Sequence, residues 1–132
     1  MTTKTAGISV SHGGRKGGGL RRVTDPVGEV TTLLGTHTYA SDVTVSIQLA
    51  DDHELLLVAL ESGNAFLGLE KSGGVYQYLA DAAAEGTRQF VIGGQTTAVP
   101  TRYVLSIADA IELLTAWLAR PDSLDATAWE RQ

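Results

Sequence analysis

Between Val43 and Leu79, four strand-length apolar pieces follow one another too closely for anything but an antiparallel meander. A parallel neighbour needs a crossover of about a dozen residues or more, and the gaps here are far shorter. In VTVSIQL, Val43, Val45, Ile47 and Leu49 alternate with Thr44, Ser46 and Gln48, the pattern of a strand with one wet face. Ala50-Asp51-Asp52-His53 is a turn, and Glu54 opens the next piece. Leu55 to Leu60 is apolar on both faces, as expected of a central strand covered on each side. After Ser62-Gly63-Asn64 comes Ala65 to Glu70, and after Lys71-Ser72-Gly73-Gly74 comes Val75 to Leu79. Each break carries the residues that tight turns favour.

The flanks extend this frame. Asp25 and Pro26 suit a helix start, Glu29 suits its first turn, and Val27, Val30, Leu33 and Leu34 recur at helical spacing until Gly35. Asp81 to Gly86 reads as a loop or one helical turn. Arg88 to Ile92 and Gln95 to Val99 form a hairpin around Gly93-Gly94, and Arg102 to Leu105 adds a short edge strand. Ser106 then caps a helix, with Asp109 three residues on. Ile107, Ala110, Ile111, Leu114 and Leu118 make its apolar stripe, flanked by Leu113 and Trp117, until Arg120 and Pro121 end it. Burying each large side chain stabilises by roughly 1.5–3 kcal/mol, so this helix is expected to pack across the sheet. The resulting class is α+β: an antiparallel sheet of about five or six strands, in meander and hairpins, packed by a C-terminal amphipathic helix and a short N-terminal one.

Charge divides the chain. Its 132 residues carry a net −5, yet five of the ten basic residues (Lys4, Arg15, Lys16, Arg21, Arg22) precede every acid. From Val23 onward five bases face all 15 acids, a net of −10. Residues 1–22, glycine-rich and poor in apolar area, are expected to form a disordered basic arm ahead of one domain over 23–132. The acidic domain repels phosphate backbones, which argues against nucleic acid, and it attracts a basic protein. The sequence has no cysteine, which removes disulfides, thiol nucleophiles and thiolate metal sites. No apolar run nears the roughly 18 residues of a membrane span, and the polar start shows no secretory signal. Cytoplasmic residence is the simplest expectation.

Residues that carry chemistry are scattered. His12, His37 and His53 have no second ligand at close helical or strand spacing, whereas a metal needs three or four converging groups. Asp51-Asp52-His53-Glu54 falls at a hairpin tip, too open to shift a pKa usefully. Neither a nucleophile elbow nor a phosphate loop occurs. Gly93-Gly94 lacks a following helix, which argues for a hairpin turn over an anion cradle. Tyr76 and Tyr78 share one strand face and suit core or edge packing. The expectation is a protein without catalytic apparatus, metal or cofactor.

The last residues are unusual, because a tryptophan three positions from the end suggests a tail that folds back and docks. Phe90 to Pro100 (FVIGGQTTAVP), Ser106 to Leu118 (SIADAIELLTAWL) and the spacing from Pro121 to Trp129-Glu130 carry a resemblance. Over most of 42–130 the chain resembles the first family of the numbered immunity series of bacterial polymorphic toxin systems, an α+β group with a C-terminal Trp-Glu motif. The basic arm lies outside that resemblance.

The resemblance implies an immunity protein that binds and neutralises a cognate toxin, a deaminase or nuclease acting on nucleic acid and therefore basic. Trp117, Pro121, Trp129 and Glu130 would then be signature residues. Trp129 is expected to pack on the Trp117/Leu118 end of the helix. Glu130 is expected to bond a backbone amide or to pair with Arg102 or Arg120. Asp51, Asp52, Glu54, Glu70, Asp81 and Glu85 are the candidate partner-binding residues. The alternative is a nucleic-acid-associated accessory protein acting through the basic arm. Deleting residues 1–22 is expected to separate the two.

Overall fold

A computed structural model describes residues 6–12, 15–16, 21–49, 55–71, 74–119 and 129–131. The elements run β1 (Ala6–His12), β2 (Arg15–Lys16), β3 (Arg21–Val23), α1 (Pro26–Thr36), β4 (Val43–Leu49), β5 (Leu55–Glu61), β6 (Asn64–Lys71) and β7 (Gly74–Tyr78). There follow β8 (Thr87–Ile92), β9 (Gln95–Pro100), a 3-10 turn over Thr101–Tyr103, β10 (Val104–Ser106), α2 (Ile107–Ala119) and β11 (Trp129–Arg131).

The meander forms as its short turns require. β4, β5, β6 and β7 pair antiparallel in sequence order. Ser62 and Gly63, at φ 48° and 88°, make the tight β5–β6 turn, in which both central residues adopt positive φ. β10 takes the part of the β6 edge that β7 leaves free, facing Asn64 to Phe66. The sheet order is β11-β7-β6-β5-β4-β1-β2, with β3 also on β1.

The ends of this sheet differ from expectation. Within the segment expected to be disordered, Ala6–His12 pairs along its whole length with β4, and Ile8 is buried in the core. The physical reason is edge coverage, since without β1 the apolar strand β4 would be an open template. The basic residues Arg15, Lys16, Arg21 and Arg22 lie on β2 and β3, both paired to β1.

Helices cover one face. Val43, Val45, Ile47, Leu56, Val58, Leu60, Ala65, Leu67 and Leu69 point to one core with Val30 and Leu34 of α1 and Ala110, Leu114, Trp117 and Leu118 of α2. Both helices begin as read from the sequence. Gly28 N donates to Asp25 Oδ1 at 3.2 Å, and Asp109 N donates to Ser106 Oγ at 3.1 Å. The opposite face carries a smaller core of Ala59, Phe90, Val99 and Tyr103, flanked by Phe66, Leu79, Ile92 and Val104. There β8 and β9 form their own two-stranded sheet. No described helix is long and apolar enough to cross a membrane.

Candidate functional site

Two polar junctions hold the outer parts of the molecule, and both involve carboxylates with distant partners. The first lies where the β8–β9 hairpin meets the main sheet. Gly93 and Gly94, at φ 61° and 80°, make its two-residue turn, a conformation that costs an L side chain roughly 1–2 kcal/mol. With both residues left-handed, two N–H groups face the carboxylate of Asp42. Gly93 N donates to Oδ1 and Gly94 N to Oδ2, each at 2.8 Å. The turn is therefore the expected hairpin, and its amides do cradle an anion, one supplied by the chain itself.

Glu61 completes this junction. Its Oε1 accepts from Ser41 Oγ at 2.9 Å, Val91 N at 3.0 Å and Asp42 N at 3.3 Å. Its Oε2 accepts from Ser62 Oγ at 3.3 Å. Burial alone opposes its ionisation, but the bonds from Ser41, Val91, Asp42 and Ser62 outweigh it and hold its pKa below the ordinary carboxylate value. Neither Asp42 nor Glu61 stands out in the sequence. Their weak signals are an acid just before one strand and an acid ending another.

The second junction is the Trp-Glu pair. β11 pairs with β7, setting Trp129 opposite Tyr78, and their rings meet edge to face at 5.5 Å. Trp129 is half-buried against the main core, in which Trp117 is fully buried. Glu130 Oε2 accepts from Tyr103 Oη at 2.6 Å and lies 3.4 Å from Arg102 Nε. Arg102 stacks over the Tyr103 ring, 4.8 Å from its centroid, and donates to its hydroxyl. Of the partners expected for Glu130, Arg102 is the one present, Arg120 lies outside the described residues, and Tyr103 is a further donor that the sequence reading missed. Trp129 finds its aromatic partner in Tyr78.

The three described acidic candidates, Glu70, Asp81 and Glu85, do not gather into one patch. Glu70 is exposed on β6, six positions from Asn64, or roughly 20 Å at about 3.3 Å per strand residue. Asp81 and Glu85 are exposed on the loop after β7, near the Asn64 end, because Asp81 N donates to Arg102 O. Asp51, Asp52 and Glu54, like Pro121, lie outside the described residues. A groove of about 380 Å³ adjoins this loop, lined by Tyr78, Ala80, Leu105, Leu113 and Ala116, with Asp109 and Glu112 on the α2 side. Among the described residues no three His, Asp or Glu side chains converge to hold a metal ion. No family model matches the chain, and no characterised protein matches it in sequence.

Proposed function

We propose that this chain is an immunity protein, not an enzyme, that neutralises a cognate bacterial toxin in the cytoplasm by stoichiometric binding. The observation that carries the reading is the distribution of charge. Glu70, Asp81, Glu85, Asp109 and Glu112 are all exposed, and the ion pair of Arg102 is made with Glu130. Exposed acids thus stand on β6, on the β7–β8 loop and on α2, spread over the described surface and not gathered into one patch. Such a surface suits a basic protein whose own ligand is nucleic acid, and charge of this kind accelerates encounter, up to about 10⁸–10⁹ M⁻¹s⁻¹ in favourable complexes. In this reading the Trp-Glu pair is a clasp, and the contact surface lies elsewhere.

The test is co-expression with the protein encoded immediately upstream. Growth arrest by that protein alone, relieved by this chain, supports the proposal. An upstream protein that is harmless, or whose toxicity the chain leaves unchanged, contradicts it.

A second reading rests on the four basic residues that β2 and β3 bring to one edge of β1. A nucleic-acid accessory protein would bind there through phosphate contacts. Replacing Arg15, Lys16, Arg21 and Arg22 by Ser abolishes binding in that reading and leaves toxin neutralisation intact in the first.

A further inference from the structure

Among the described residues the β8–β9 hairpin is bonded to the main sheet at Val91 on one edge and has no strand on the other. Ile92 faces Gln95 across the two-glycine turn, so Phe90↔Thr97 and Arg88↔Val99 are the other hydrogen-bonded pairs. Peptide groups of the residues between them point outward. On β8 the outward residues are Val91 and Gln89, and Val91 N donates to Glu61 of the main sheet. On β9 the outward groups belong to Thr96 and Ala98, both exposed, and among the described residues no strand pairs with that side.

Free edges are ordinarily blunted by charge, a bulge or proline. Here the ladder runs without a bulge from Thr87↔Pro100 to Ile92↔Gln95. From Gln95 to Val99 there is no charge, and Arg88 is the hairpin's one charged residue. An isolated two-stranded hairpin is marginal in water. This one is pinned by the buried side chains of Phe90 and Val99 and by the bonds to Asp42 and Glu61. It is a strand edge held in place before anything binds it.

We propose that the outer edge of β9, Gln95–Val99, is a docking strand on which the protein partner adds an extended segment of its own, in the β-augmentation mode. Charge selects the occupant. Exposed Asp81 and Glu85 stand on the loop leading into β8, so a basic partner that pairs with β9 also meets acids at the hairpin base. A second copy of the chain meets the opposite situation. Each copy carries a net −5, and a self-paired edge of this length covers far less than the roughly 1,200 Å² of a stable interface.

This proposal rests on the toxin-binding reading, and amide hydrogen exchange on the full chain, alone and with the upstream-encoded protein, tests both. In the free chain the Thr96 and Ala98 amides exchange at unprotected rates. With the partner at about 100 times its Kd they slow by about 100-fold. Ala98→Pro, which removes one outward donor, weakens binding about tenfold without altering the melting temperature. A complex that forms while both amides stay fast overturns the docking strand and leaves the toxin reading standing. Absence of any complex overturns both. Protection in the free chain accompanied by dimer in sedimentation equilibrium shows that a second copy covers the edge, and overturns the proposal.

Discussion

Trp129 and Glu130 show how two residues close a fold. The indole adds a half-buried aromatic surface beside Tyr78, and the carboxylate ties the strand to Tyr103 and Arg102. Trp129→Ala removes the larger contribution. A fully buried tryptophan costs about 3–5 kcal/mol on truncation, and the partial exposure of this one places the loss at the lower end, about 2–3 kcal/mol. Urea denaturation measures it, and a variant of unchanged stability that no longer binds its partner would assign Trp129 to the interface instead. Glu61 yields a pH prediction. Its folded pKa lies below the ordinary glutamate value, because the hydrogen bonds to its charged form outweigh its burial, so its contribution is complete above the unfolded pKa and is lost as pH falls through the folded pKa. Glu61→Gln is therefore less stable than wild type near neutrality. The difference shrinks as the pH of a thermal melt is lowered below about 4.5.

At the scale of elements, what was legible in the sequence was local. The β4–β7 meander, the β8–β9 hairpin and α2 with its Ser106 cap all announce themselves through periodicity and turn residues within a few positions. β1 and β11 do not. Ala6–His12 carries only Ile8 and Val10 as large apolar residues, beside glycine-rich sequence, and it becomes a strand because β4 offers an edge. β11 is three residues long and depends on β7. The junctions obey the same rule. Glu61 bonds Val91 across 30 positions, and Asp42 bonds Gly94 across 52, whereas Arg102 was one of the three partners the sequence offered Glu130. Pairing of β1 also changes what a deletion means. Removing residues 1–12 is expected to uncover β4 and the Ile8 site, lowering the melting temperature and promoting aggregation in light scattering. Unaltered melting and a monodisperse product would show that β1 contributes nothing to the fold. Charge substitution, not truncation, is the clean way to test the basic residues.

Across the whole molecule, the layers divide the labour. The helices and one sheet face supply the main core, the hairpin and its small core occupy part of the other face, and exposed acids remain on β6, the β7–β8 loop and α2. That arrangement leaves acidic side chains exposed on several elements, which supports the proposed role in binding a basic protein. A titration calorimetry series with the upstream-encoded protein, at about 50 and about 200 mM salt, tests the central claim most directly. The predicted result is a 1:1 complex, weaker by about tenfold at the higher salt, with toxicity abolished only when the chain is present in at least equal amount. Protection at amounts far below one chain per toxin, or no binding at either salt, would contradict it.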